Sequence, residues 1–423
     1  MRRQPEPGPI PHYTQSRVRL GPPQVAHLVR RLTVRVNTPV YFDHQATTPV
    51  DSRVLEAMLP YFGDKFGNPA SRSHSFGWAA EKAVERARKL VAALAGANPR
   101  EIVFTSGATE SNNFAIKGIW EAYRTRGNHF ITVATEHRAV LDPVRHLERL
   151  GAEVSILPVR RDGLLDLDQL RRAIRPETVL VSVMFANNET GVIQPISEIG
   201  PICRESGVLF HTDAAQAFGK IPVHVAEAAI DLMSMTAHKI YGPKGLGALY
   251  IRRGVTAVAQ IDGGGHERGL RSGTLNVPAI AGFGEAAAIC AREMETEAAR
   301  TSRLRDRLLS RIQSGLGGVR VNGSLAHRLP ANLNLAFAHV NADALMTALP
   351  DVALSTGSAC SSATPEPSHV LRALGLTEVE ARSSVRFGLG RTTTEEEVDY
   401  GARRVIASVQ SLQQSAPATN LTG

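Results

Sequence analysis

Cysteine is scarce in this 423-residue chain. The three present, Cys203, Cys290 and Cys360, are odd in number and widely spaced, which excludes a disulfide framework and a cysteine-built zinc site. A reducing compartment follows. No apolar run approaches the ~18 residues of a membrane span, and Glu285 interrupts the best candidate, 277–289. Paired Cys-x-x-Cys and His-Glu-x-x-His motifs are missing. Gly219-Lys220 lacks the preceding glycine of a Walker loop, and Gly263-Gly264-Gly265 lacks Rossmann spacing. The 14 histidines are too dispersed to argue a metal cluster. Lysine is also rare: beyond seven lysines, all of the 48 basic residues are arginines, a bias that points to GC-rich coding. What remains is 43% hydrophobic and 21% charged, which excludes a mainly disordered chain and a coiled coil. At roughly 150 residues per domain the length suggests two or three domains.

The net charge of +8 is localised. Residues 1–40 hold seven arginines and seven prolines against one acid, Glu6, so the body is close to neutral. A near-neutral body is a poor nucleic-acid binder, and no nucleic-acid or membrane partner is expected. With no sustained apolar period, residues 1–40 read as a disordered Arg/Pro-rich extension, as an organelle transit peptide or as an over-long start. They lack the uninterrupted apolar stretch of a secretory signal.

From about residue 100 apolar, β-branched runs alternate with amphipathic stretches. The runs are 101–105, 130–134, 154–158, 179–185, 208–212, 232–236 and 248–251, and the helical stretches are 110–124, 139–150, 167–174 and 196–206. This rhythm predicts an α/β fold with a mostly parallel sheet covered on both faces, its ligand at the carboxyl ends of the strands. A long helical stretch with some breaks is expected over 278–315, followed by a smaller α+β region ending near residue 409.

Four clusters fall where runs end. Thr105-Ser106-Gly107-Ala108-Thr109-Glu110 reads either as an ordinary capped strand-to-helix turn or as an anion site made of N–H groups and hydroxyls. Asp213, in VLFHTDAAQ, sits just past a buried strand, where a carboxylate also serves as a helix cap. Lys239, in MTAHKIYGPKG, follows another strand in apolar surroundings, a setting that lowers an amine's pKa and suits it to covalent chemistry. An anion cradle, an acid and a lysine together are what pyridoxal 5'-phosphate requires: a phosphate site, a partner for the pyridine nitrogen and a lysine for the aldehyde. The fourth cluster, STGSACSS, places Cys360 in a small, polar loop without apolar neighbours, a candidate nucleophile or sulfur carrier. Cys203 and Cys290 lie in helix-like stretches and read as inert core thiols.

The combination resembles the class I cysteine desulfurases (IscS/NifS-like), pyridoxal-phosphate enzymes of iron–sulfur cluster assembly. The likeness runs from about residue 40 to 409 and rests on DHQATTPVD, FGNPASRSH, FTSGATESNN, TEHRAVLD, NNETG, HTDAAQ, AHKIYGPKG, GGGHERGLRSGT, STGSAC, EPSHVLRALG and SSVRFGLGRTTTEEEVDY. The long GSAC loop sets it apart from the class II enzymes. The resemblance implies a fold-type I enzyme. Its large domain (49–293) would carry a seven-stranded, mostly parallel sheet. Its smaller α+β domain (41–48 and 294–412) would carry the Cys360 loop, with 413–423 a loose tail.

For the site, the resemblance implies that Lys239 carries the cofactor and Asp213 partners its ring nitrogen. His137 would stack on the ring and move protons, and Gln216 would bond the phenolic oxygen. Ala108, Thr109, Thr236 and His238 would hold the phosphate, and Thr274 would reach the cofactor of a second subunit, making a homodimer. Asn188 and Arg386 would bind the carboxylate of L-cysteine. Cys360 would take the sulfur as a persulfide, release L-alanine, and pass the sulfur to an iron–sulfur scaffold or another acceptor protein. No resident metal is implied; Cys360 would at most ligate an iron–sulfur cluster transiently with a scaffold. The expected location is the bacterial cytoplasm, or the mitochondrial matrix if 1–40 is a transit peptide. Thr356 and Thr236 stand where serine is usual, and the Trp-containing tail of the housekeeping branch is not seen, which weakens the case for scaffold docking. Competing readings are a selenocysteine lyase, another fold-type I transferase, or a catalytically idle sulfur-relay subunit.

Overall fold

The computed structural model describes residues 36–356 and 366–415. Cys360 and nearly all of the 1–40 extension lie outside the described residues. After a short strand, β1 (Val40–Tyr41), the seven apolar runs become β2 (Ile102–Thr105), β3 (His129–Val133), β4 (Glu153–Leu157), β5 (Thr178–Ser182), β6 (Leu209–Asp213), β7 (Leu232–Thr236) and β8 (Gly247–Ile251). They form one sheet in the order β2-β8-β7-β6-β5-β3-β4. Only β8 runs against its neighbours β2 and β7; the other pairings are parallel. Consequently β2, β3, β5, β6 and β7 all end at the same edge.

The helices between them are α1 (Ser52–Met58), α2 (Ser75–Ala95), α3 (Ala108–Tyr123), α4 (Arg138–Glu148), α5 (Leu167–Ala173) and α6 (Ile196–Glu205), followed by α7 (Val277–Gly315). Alternate strand residues feed two cores, as a pleated strand requires. Ile102, Phe104, Ile131, Val133, Met233 and Met235 pack with apolar residues of α2, α6 and α7. Val103, Phe130 and Leu232 turn the other way, toward α3 and α4.

Helix α7 is continuous over 39 residues, without the expected breaks. The glycines within it serve packing. A Cβ on Gly284 would lie 2.6 Å from the Ala87 Cα, and one on Gly282 would lie 2.6 Å from the Met58 sulfur. They let α2 and α1 press against α7, and the favourable residues beyond them carry the helix on.

The far half of α7 packs on a second core built by β9 (Val319–Val321), β10 (Asn332–Phe337), α8 (Ala342–Thr347), β11 (Val352–Ala353), β12 (Ser384–Gly388) and α11 (Glu395–Ser415). The short helices α9 (His369–Ala373) and α10 (Glu378–Arg382) lie between β11 and β12 in sequence. Strands β12, β10 and β9 make an antiparallel sheet, and β1 pairs with β11. Two boundaries differ from the sequence reading. Val40 is buried strand, and α11 runs through Ser415, so 413–415 are helix rather than loose tail.

His211 ties three parallel strands together: its Nδ1 pairs with Ser182 Oγ at 2.8 Å and its Nε2 with Ser234 Oγ at 3.0 Å. Complete burial lowers its pKa from 6.5 to about 3. Between these values the unfolded chain binds more protons, so this contribution is fully present above pH 6.5 and is lost as pH falls toward 3. Unfolding free energy is expected to fall by up to about 1.4 kcal/mol per pH unit from this one histidine. His211→Asn should flatten the slope in denaturant titrations across pH 6.5–4; an unchanged slope would reject the assignment.

Candidate active site

The shared strand edge opens on a cavity of about 640 Å³. Around it stand Ala108, Thr109, His137, Asn188, Asp213, Gln216, Thr236, His238, Lys239 and Arg386. These are the residues named from the sequence, apart from Cys360 and Thr274. They come from six different segments, and the parallel topology brings them together.

At one side, Asp213 closes β6 as its last residue. Its carboxylate accepts from the Asn112 amide at 2.6 Å and from the Ala215 N–H at 2.9 Å, so its orientation is fixed. Asn112 is a buried residue of α3 whose Oδ1 has no partner. Nearby, burial and then the charge of Asp213 push the Glu136 carboxyl well above its ordinary range. Both causes favour the neutral form of Glu136.

The strand-to-helix turn after β2 carries the phosphate-type features. Gly107 has φ +153°, which L side chains rarely adopt, and the space beside it is open: a Cβ there would meet nothing nearer than Thr236 Oγ1 at 3.9 Å. Gly247 backs the turn, since a Cβ on it would come within 2.6 Å of the Gly107 Cα. The first turn of α3 has N–H groups without partners four residues back. Glu110 takes one nearby donor, the Ser106 N–H at 2.8 Å, and pairs with Arg271 at 2.8 Å. Burial raises its pKa, but Arg271 and Ser106 outweigh that and hold it below the ordinary range.

Lys239 ends a 3-10 turn, Ala237–Lys239, directly after β7. Its Nζ donates to the carbonyls of Gln45 and, at 2.6 Å, Ala46. The neighbouring His238 ring bonds Thr47 Oγ1 at 3.1 Å, and burial, with the charge of Lys239, lowers its pKa to about 4. Residues 45–48 thus form a strap across the lysine turn. His137 caps α4, its Nδ1 accepting from the Ala139 N–H at 3.1 Å, which leaves Nε2 to carry the proton in the neutral ring.

Arg386 arrives from β12 of the smaller sheet. It donates to the Asn188 carbonyl and to Asp43 Oδ1, both at 2.8 Å, while its buried Nε has no partner among the described residues. Both flanks of 357–365 also attach here. The Arg386 N–H donates to the Ser355 carbonyl at 2.7 Å, and Ser368 Oγ donates to the buried Glu189 at 2.5 Å. The His369 Nε2 lies 2.9 Å from the Glu136 carbonyl.

Thr274 is exposed and does not line this cavity. Its loop is nonetheless anchored. The Arg88 guanidinium bonds Glu267 twice at 2.7 Å, Glu267 accepts from the Phe104 N–H at 2.8 Å, and Arg271 holds Glu110.

Asn112, Asp43, Gln45 and Glu136 went unassigned in the sequence. Asn112 was the one with a readable signal, a polar residue on the apolar face of α3.

Such a cradle, carboxylate and lysine on a strand edge define an α/β enzyme of fold type I, and the comparisons agree. The aminotransferase class-V profile matches residues 40–400. A cysteine desulfurase IscS of Anaeromyxobacter sp. (strain Fw109-5) is 59% identical over 381 residues, covering 90% of this chain and 94% of its own. The cysteine desulfurase IscS of Neisseria meningitidis is 56% identical over 384 residues, covering 90% and 95%. Among solved structures, a NifS-like protein superposes with TM-score 0.83 at 38% identity, covering 88% of this chain and 99% of its own. SspA, solved in complex with cysteine, gives TM-score 0.74 at 39% identity, covering 83% and 98%. The chain belongs to the aminotransferase class-V family and, within it, to the IscS/NifS-like cysteine desulfurases, which are pyridoxal-phosphate enzymes.

Proposed function

We propose that this protein is a cysteine desulfurase that converts L-cysteine to L-alanine and transfers the sulfur to Cys360. The observation that carries the reading is the convergence of Lys239, Asp213 and Arg386, from three separate segments, on one cavity. The residues fit pyridoxal phosphate. Open space beside Gly107 and the first turn of α3 suit its phosphate, and the fixed Asp213 carboxylate suits its ring nitrogen. When bound, the cofactor supplies an electron sink for charge developing at the substrate's Cα.

The chain's own residues do the rest. Asp213 holds a proton at the ring nitrogen. Ala108, Thr109, Thr236 and His238 hold the phosphate, and Gln216 donates to the phenolic oxygen. Arg386, with its spare Nε, and Asn188 orient the substrate carboxylate. Lys239 holds the cofactor and moves the Cα proton, and His137 stacks and shuttles protons through Nε2. The Cys360 thiol takes the substrate sulfur: the Cβ–S bond breaks, a new S–S bond forms, and L-cysteine plus Cys360 thiol becomes L-alanine plus Cys360 persulfide. The attachment of both flanks of 357–365 to Arg386, Glu189 and Glu136 supports that role.

The reading extends to a homodimer, in which Thr274 serves the partner's cofactor, and to a sulfur acceptor of cytoplasmic iron–sulfur assembly. Exposed Leu59, Phe62, Phe66, Phe76 and Trp78, within 20 residues of one another, supply an apolar surface for the dimer.

The test is to incubate the purified protein, loaded with pyridoxal phosphate, with L-cysteine and a reducing thiol. Equal alanine and sulfide are expected, both lost in Cys360→Ala. Pyruvate and ammonia, or an active Cys360→Ala, would overturn the sulfur-carrier assignment. Sedimentation of the same preparation as a monomer at micromolar concentration would remove the dimer.

A further inference from the structure

The resemblance and the proposed reaction leave Lys220 without a role, yet it stands directly behind the site. It follows Asp213 by seven residues, in the turn beyond β6, and its Nζ donates to Gln216 Oε1 at 3.1 Å. The other end of that amide, Nε2, donates to the Gln45 carbonyl at 2.9 Å. The same carbonyl accepts from Lys239 Nζ. Two lysines thus meet through one amide and one carbonyl. A small second cavity of about 30 Å³, room for a water or two, is lined by Gln45, Lys220, Lys239, Tyr241 and Glu297.

Lys220 makes no ion pair among the described residues. The carboxylate that shares its cavity, Glu297, is engaged by Arg391 at 2.8 Å. A buried ammonium with one neutral acceptor is costly, so it calls for a purpose. The amide supplies one. A side-chain amide has an acceptor end and a donor end that differ little in shape. In its charged form Lys220 only donates and a carbonyl only accepts, so charged Lys220 and Gln45 together permit a single orientation of Gln216.

We infer that Lys220 is a positioning residue: it fixes the Gln216 amide with its NH2 end toward the Gln45 carbonyl and the cavity, and its positive charge lowers the affinity of Lys239 for a proton. The inference rests on the cofactor-binding reading above, in which Gln216 must offer a donor to the phenolic oxygen. A flipped amide would offer an acceptor there and repel it. The charge limb follows from two amines that line one small cavity and are joined through the Gln216 amide and the Gln45 carbonyl. Burial, and then Lys239, lowers the Lys220 pKa from 10.5 to about 7. The other ionisable groups facing Lys220 are Glu297 and Cys290 on α7, Arg386 on β12 and His44 on the segment before α1.

The experiment uses the full-length apoprotein and pyridoxal 5'-phosphate, with binding followed by quenching of protein fluorescence. Lys220→Met, which keeps the length of the side chain, should weaken binding about fivefold, the worth of one hydrogen bond. Gln216→Leu should weaken it comparably, and the double variant should be no weaker than Gln216→Leu alone. Competitive acetylation read by mass spectrometry gives the second measurement: in Lys220→Met, Lys239 should label with its midpoint moved to higher pH, because a positive neighbour is gone. Unchanged binding by Lys220→Met, multiplying effects in the double variant, or an unmoved Lys239 midpoint would overturn the inference and leave the cofactor reading standing. A wild-type protein that does not bind pyridoxal phosphate would overturn that reading, and this inference with it. Should Lys220→Met fail to fold, Lys220→Arg decides: a guanidinium, which only donates, should hold pyridoxal-phosphate binding within about twofold of wild type, and a loss as large as that of Gln216→Leu overturns the inference.

Discussion

Replacing Lys239 by alanine is expected to reduce alanine formation from L-cysteine at least ~10⁴-fold, with no compensating change in KM. Lys239 lines the cavity directly after β7, at the carboxyl ends of the parallel strands, whereas Lys244, which also lines it, is exposed and five residues further on. The Lys220 amine lies behind Gln216 and donates to it, so it is not placed to substitute. The change should leave the fold intact. Lys239 contributes hydrogen bonds to the Gln45 and Ala46 carbonyls, each worth about 1 kcal/mol. Against that loss, a like charge near Lys220 disappears. Thermal unfolding should therefore move by only a few degrees. A large fall in melting temperature would assign the lost activity to the strap at residues 45–48 rather than to the amine. Residual turnover within about tenfold of wild type would remove Lys239 from the proton-moving role.

That Lys239 could be picked out from sequence at all reflects how local its signal is. A β-branched run, a lysine and a glycine–proline turn are adjacent in the chain, as are the run, Asp213 and the following small residues. All seven strands of the main sheet were legible from their apolar, β-branched runs; six are largely buried, and the edge strand β4 is half-exposed. The antiparallel strand β8 was read as a strand, but its reversed direction was not legible, because pairing direction is a property of neighbours far apart in sequence.

The same limit explains the unassigned residues. Asp43 and Arg386 are 343 positions apart and meet only because β1 and β12 belong to the smaller sheet region. Gln45 acts through its backbone carbonyl, which no side-chain pattern reveals. The three-residue, half-buried β9 carries too little periodicity to separate it from a loop. The unbroken course of α7 was not legible either: Gly282 and Gly284 mark where α1 and α2 come closest to it, a contact between segments far apart in sequence.

Arg386→Lys should weaken L-cysteine utilisation by about 10²- to 10³-fold in kcat/KM, expressed mainly as a higher KM. The guanidinium does what an ammonium cannot. One nitrogen holds the Asn188 carbonyl and a second holds Asp43, both at 2.8 Å, and the remaining N–H bonds of the same planar group are left for a carboxylate. A lysine brings one point charge to a place that uses a planar fork, and it must abandon at least one of the existing partners. Asp43 is the one at risk, since its partner's side chain is only 4% exposed and the pair is mostly screened from water. Breaking it costs up to about 3 kcal/mol in a fully buried setting and less here, where Asp43 is 18% exposed. Stability should therefore fall modestly and affinity for the substrate sharply. The contrast with Asp43→Asn separates the two effects: the amide keeps a hydrogen bond to Arg386 but removes the competing charge, so KM should hold or fall while melting temperature drops. If Arg386→Lys lowers kcat and leaves KM unchanged, Arg386 does not hold the substrate in its ground state. Its guanidinium would then act on the transition state alone.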